Sequence, residues 1–164
     1  MNGFLATAEN LFLIQAKITI MENKYLAHIF SEMADILEIQ DSNPFRIRSF
    51  RRVAQIIENL SFSVTHSVRD NPQELQEIPG IGAGAIRRIQ EIVQTRHSQE
   101  HEDLRNQVPP SLLVLLELQN LGPKKISLFW KSLNITTIDE LEKAAREQRL
   151  RHLPGMGEKS EAII

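Results

Sequence analysis

The chain has 164 residues, a formal net charge of −2 and no cysteine; 41% of its residues are hydrophobic, 24% charged and 5% aromatic. That length buries a real core as one domain or two small ones, and the low aromatic share makes the core aliphatic. The charge balance excludes a generally basic nucleic-acid coat, so phosphate binding has to come from local patches or backbone amides; the missing cysteines exclude disulfides, thiolate zinc sites and cysteine nucleophiles, and fit a reducing, cytoplasmic setting.

Residues 1–20, MNGFLATAENLFLIQAKITI, are apolar but lack a basic leader, carry Glu9 inside the run and have Lys17 late. The clean apolar stretch is too short to span a bilayer, so neither a signal peptide nor a membrane role is expected. Met21 opens a differently patterned helix, which marks 1–20 as an upstream extension and Met21 as the expected natural start, with a genuine extra helix packing on the domain as the alternative.

From Met21 onward the pattern is helical. Leu26, Ile29, Phe30, Met33, Ile36 and Leu37 share one helix face. Asn43-Pro44 starts a second helix that buries Phe50, Val53, Ala54, Ile57 and Leu60. Asn71-Pro72-Gln73-Glu74 reads as the N-cap of one short helix, and Thr137-Ile138-Asp139-Glu140 as the capping box of a later one. Phe129 and Trp130 read as core of an intervening helix. No alternating run is long enough for a strand, and the expected fold class is all-α: two small helical subdomains, 21–104 and 105–164, joined near Glu102–Asn106.

Between the helices, IPGIGAGAIRRIQEIV puts Gly80, Gly82 and Gly84 into five positions. The loose dinucleotide fingerprint is met, but it carries meaning only after a β-strand, and a polar helical segment precedes it here. His97-Ser98-Gln99-Glu100-His101 fits a zinc-protease pattern, yet it lies in a polar segment with no third ligand.

A repeat explains the glycines better. Ile78-Pro79-Gly80-Ile81-Gly82 recurs as Leu118-Gln119-Asn120-Leu121-Gly122 and as Leu153-Pro154-Gly155-Met156-Gly157. The first member of each pair (Gly80, Asn120, Gly155) is expected at positive φ, which glycine and asparagine tolerate best. The aliphatic residue between (Ile81, Leu121, Met156) is expected to plug the gap between two helices. The helix that follows then points its free amides and positive dipole end at an anion. A hairpin that touches only phosphate reads no base edge, so it binds DNA without sequence preference.

These motifs resemble helix-hairpin-helix elements. NPFRIRSFRRVAQIIENL, IPGIGAGAIRRIQEIV and the run from VPPSLLVLLELQNLGPKKISLFW to LRHLPGMGEKSEAII, in that order, resemble the N-terminal part of a bacterial family X DNA polymerase over residues 21–164. The resemblance implies a lyase-like domain that holds the 5′ phosphate of a gap, then a fingers subdomain that grips DNA. It implies that hairpin carbonyls hold a monovalent cation, sodium or potassium, shared with a DNA phosphate: those of Gln76, Ile78 and Ile81, and of Leu116, Leu118 and Leu121. Nucleotidyl transfer in that family uses palm aspartates and two metal ions. The five aspartates here (Asp35, Asp41, Asp70, Asp103, Asp139) include no D-x-D pair, so magnesium belongs only with an absent palm.

Basic residues complete the expected interface. Arg46, Arg48, Arg51 and Arg52 lie in a stretch from Ser42 to Ile57 without one acidic residue and are expected to hold a 5′ phosphate. Arg87 and Arg88 follow the first hairpin, Lys124 and Lys125 the second, and Lys159 the third. The lyase reaction needs an amine that can be neutral, and the resemblance places that lysine at Arg88, whose guanidinium stays protonated. No lysine occurs between Lys24 and Lys124. The expected function is therefore binding of gapped or nicked duplex DNA, as a monomer, without polymerase or efficient lyase chemistry. An active deoxyribose-phosphate lyase, a fragment of a gap-filling polymerase and a helical protein-interaction module are the alternatives.

Overall fold

The computed structural model describes residues 8–164, with side chains from residue 11. Nine α-helices and two 3₁₀ turns make up the described residues, and no strand occurs among them: α1 (Ala8–Ile39), α2 (Pro44–Asn59), α3 (Val64–Asp70), α4 (Ala83–Thr95), α5 (Gln99–Arg105), α6 (Pro110–Leu115), α7 (Pro123–Leu133), α8 (Ile138–Arg146) and α9 (Glu158–Ala162). The all-α expectation holds. None of these helices is long and apolar enough to cross a membrane.

The described residues divide into two compact units, each assembled from two stretches: residues 8–32 with 49–99, and residues 33–48 with 100–164. The expected joint at Glu102–Asn106 falls on the last turn of α5 and the residue after it. In the first unit Phe30 and Phe50 meet with ring centroids 6.0 Å apart, over a core that includes Ile57, Leu75, Ile89 and Ile92. Buried Asn23 ties α1 to the α2–α3 connection. Its amide donates to Phe62 O at 2.8 Å, and its carbonyl accepts from Val64 N at 3.0 Å. Burying that side chain is tolerated because both its ends are satisfied. In the second unit Met33, Ile36, Leu37, Leu112, Leu115, Ile126 and Phe129 are fully enclosed. Ser127 Oγ donates to Ile39 O at 2.6 Å, which satisfies a carbonyl at the end of α1.

Start and stop signals explain most boundaries. Asn43 Oδ1 accepts from Phe45 N at 2.9 Å at the head of α2, and the capping box of Thr137 and Glu140 is present on α8. The Glu140 carboxyl is held below its ordinary value, chiefly because it accepts from the Thr136 backbone N–H.

Four expectations need correction. The helix does not break at Met21: α1 runs from Ala8 through it. Residues 72–77 form a 3₁₀ turn that Asn71, the C-cap of α3, heads without a side-chain bond; its backbone carbonyl instead accepts from Glu74 N at 3.1 Å. Leu60 lies past the end of α2 and is only half-buried. Trp130 is half-buried too, whereas Phe129 is fully enclosed.

Candidate nucleic-acid interface

The three repeats fold into the same turn. Each closes with one amide bond: Ile81 N to Ile78 O at 3.2 Å, Leu121 N to Leu118 O at 3.3 Å, Met156 N to Leu153 O at 3.0 Å. The first position of each pair has positive φ, at +94° for Gly80, +65° for Asn120 and +74° for Gly155. Ile81 and Leu121 plug their hairpins from within the core, while Met156 is only half-buried.

The second glycine of each pair heads a helix. Gly82, Gly122 and Gly157 are N-caps with no side-chain cap bond. Their backbones are extended (φ −87°, −97° and −162°), so no unusual conformation requires glycine there. A Cβ on any of the three would meet no protein atom within 4 Å. What the missing side chain leaves is open space at a helix end whose first amides need an acceptor.

The hairpins differ in their first helical turns. Those of α4 and α7 contain no acidic residue, whereas that of α9 contains Glu158 and Glu161. Glu161 is buried and works inside the fold: it accepts from Leu150 N at 3.0 Å and from Arg151 Nε at 2.5 Å. Burial pushes its carboxyl up, but the Arg151 and Leu150 donors outweigh this and hold it below the ordinary range.

The cations are placed as follows. Beside the first hairpin, Arg52 is exposed and its Nε lies 2.8 Å from where a Gly80 Cβ would sit. Arg87 is exposed on α4. Arg88 folds back along its helix instead: its Nη1 donates to Gly84 O at 2.8 Å, and the guanidinium lies 5.3 Å from the Phe50 ring centroid. Gly84 is the seat for that bend, since a Cβ there would stand 3.1 Å from Arg88 Nη1. Arg51 lines a groove of about 280 Å³ with Lys24, His28, Ser31, Gln55 and Glu58.

At the second hairpin, Lys125 Nζ donates to Asn120 O at 2.9 Å and braces the turn. Lys124 reaches into solvent, with Glu38 at 3.9 Å. Lys159 is exposed on α9. Arg46 bonds Glu100 at 2.6 Å, so the acid-free stretch around it does not leave it without a carboxylate: the fold brings one from α5. Arg48 lies 4.6 Å over the ring of Phe45, a largely exposed aromatic that the sequence reading passed over. Its signal was an apolar residue directly after the helix-starting Pro44.

The expected cation sites consist of carbonyl oxygens alone, hard neutral donors that suit an alkali ion better than a transition metal. Ile78 O and Leu118 O each already accept one amide bond, and a carbonyl has a second lone pair to offer. Among the described residues no cluster of His, Asp or Glu could hold a metal ion, and this includes the His97–His101 segment.

Residues 21–98 match the family described as helix-hairpin-helix domain, and residues 112–163 match the SAM-like helix-hairpin-helix tandem. Both stretches are thus similar to helix-hairpin-helix domains. Over 144 residues, 88% of its length, the chain is 31% identical to the DNA polymerase/3′-5′ exonuclease PolX of Bacillus subtilis strain 168. It is thus similar to the N-terminal part of a family X polymerase, and it spans 24% of that relative's length.

Proposed function

We propose that this chain binds duplex DNA through the phosphate backbone, without sequence preference, and favours a gapped or nicked duplex with a 5′ phosphate in a repair-polymerase setting. The observation that carries the reading is the pair of open, acid-free helix ends at Gly82 and Gly122. Each presents unbonded amides and a positive dipole end to an anion, with cations close by: Arg52 and Arg87 at the first, Lys124 at the second. The similarity to a DNA polymerase supports it. Helix ends and lysines aimed at phosphate carry no base information, so binding is indifferent to sequence. The third hairpin, with Gly155, Gly157 and Lys159, is structural in this reading, because Glu158 and Glu161 repel an anion there. Arg51 and Arg52 remain the proposed contacts for the 5′ phosphate; Phe45, under Arg48, offers a ring face to an unpaired base. Gln76, Ile78 and Ile81 would hold a monovalent cation at the first hairpin, and Leu116, Leu118 and Leu121 at the second. Such an ion would offset the charge of a bound phosphate.

Fluorescence anisotropy with matched gapped duplexes tests this. The 5′-phosphate gap binds more tightly than the 5′-hydroxyl gap, and affinity falls steeply with salt as counterions are released. Equal affinities, or a strong preference for one sequence, contradict it.

Lyase chemistry has one specific support, the groove that places Lys24 beside Arg51 and His28. Arg88 cannot serve as the amine, since its guanidinium stays protonated and is turned onto Gly84 O. Borohydride trapping on DNA bearing a 5′ deoxyribose phosphate is expected to give little adduct. A strong adduct at Lys24 would establish the lyase reading instead.

A further inference from the structure

The N-terminal part of α1, which runs into the first matched domain at Met21, carries large apolar side chains that stay substantially exposed. Leu11, Ile14, Ile18, Met21 and Tyr25 are 45–71% exposed. Their spacing alternates three and four residues, the a and d positions of a heptad repeat, and differs from the buried face that starts at Leu26. From this we propose that the segment is a self-association seam, on which two copies of this chain pair through a short parallel coiled coil.

Charge favours a second copy. Lys17 and Glu22 fall at the g and e positions, so in a parallel pair each lysine meets the other copy's glutamate. Glu22 is steadied by Ser63 Oγ at 3.0 Å and keeps a second oxygen for that contact. A membrane surface fits worse, because an interfacial helix carries a face rich in lysine and arginine, and Lys17 is the one charged residue from Asn10 to Met21. A seam of five half-exposed side chains per copy is short, so pairing falls below the roughly 1,200 Å² of a stable specific interface and gives a weak, concentration-dependent dimer. This proposal departs from the monomer expected from the sequence and is independent of the DNA-binding reading.

The test is sedimentation equilibrium of the full chain across the micromolar range. The wild type shifts from monomer to dimer with concentration. Ile18→Glu, in the seam, stays monomeric with unchanged circular dichroism, whereas Ile20→Glu, equally exposed but outside the seam, still dimerises. Because the chain has no cysteine, Leu11→Cys forms a disulfide-linked dimer on oxidation only if the helices run parallel. A chain that stays monomeric throughout, equal weakening by Ile18→Glu and Ile20→Glu, no cross-link at Leu11→Cys, or vesicle binding by a monomer would each overturn the proposal.

Discussion

The second and third hairpins share a backbone and part company in their side chains. Both have a positive-φ residue at the turn (Asn120 at +65°, Gly155 at +74°), an i to i+3 amide bond and an uncapped glycine at the helix head. After Gly122 comes Pro123-Lys124-Lys125 and an eleven-residue helix; after Gly157 comes Glu158-Lys159 and a helix of five residues, with Glu161 buried against Arg151. In the second hairpin the positive end of the helix faces solvent and cations. In the third, carboxylates already occupy the turn and compensate that end internally. The lesson is that the turn specifies the fold, while the charge of the first helical turn decides whether an anion is welcome.

The largest stability effect is expected where the first hairpin is most confined. Gly80 combines φ +94° with Arg52 Nε and Ile56 Cδ1 each 2.8 Å from a Cβ position. Gly80→Val should cost on the order of 3 kcal/mol, since backbone strain adds to the clash. Gly155, at φ +74° with nothing within 4 Å, has the strain without the clash, and Gly155→Val should cost less, about 1–2 kcal/mol. Urea titration checks both, and equal losses would mean that packing at Gly80 is softer than it looks.

Asn120 sharpens the comparison at the next level. Asn120→Gly should change stability by less than about 0.5 kcal/mol, whereas Asn120→Ala should cost about 1 kcal/mol, because alanine tolerates the left-handed region less well. DNA affinity should survive Asn120→Gly, since the turn carries the amides and the side chain does not.

Acid should separate the hairpins by a further, smaller effect. Glu161 has a folded-state carboxyl below its ordinary value of 4.5. Its contribution to stability is therefore complete above that ordinary value and is lost as pH falls through the depressed one. Glu161→Gln should lower the melting temperature at neutral pH and make it less sensitive to acid below pH 4.5. The smallest effect is expected from Lys159→Ala, which should leave DNA affinity and its salt slope alone. Lys124→Ala should lower the salt slope by about one.

Much of this was legible in the sequence because the signals were local. The heptad-like spacing from Leu26 to Leu37, Asn43-Pro44, the box at Thr137 and Glu140, and the three hairpin repeats all act through neighbours within a few residues. Glycine and asparagine at the first hairpin position announced positive φ. Helix ends at Asp41, Arg96 and Gln148 take the same left-handed conformation without a glycine to mark them. The candidate site was readable in its turns and less so in its arginines. Glu100 against Arg46 and Phe50 beneath Arg88 are contacts between residues 54 and 38 positions apart, which no local pattern encodes. The proposed seam on α1 is hidden in the sequence because Met21 resembles a start, and only a helix continuous through Met21 brings the seam residues from Leu11 to Tyr25 onto one face.

The central claim is that the open, acid-free helix ends bind phosphate and that the third hairpin does not. Gly122→Val and Gly157→Val isolate it, because both positions are extended and have room for a side chain, so neither change should disturb the fold. Measured by anisotropy on a 5′-phosphate gapped duplex with circular dichroism as control, Gly122→Val should weaken binding at least about tenfold, or 1.4 kcal/mol, while Gly157→Val stays within about twofold. Equal losses for the two, or unchanged binding for Gly122→Val with its helices intact, would contradict the account.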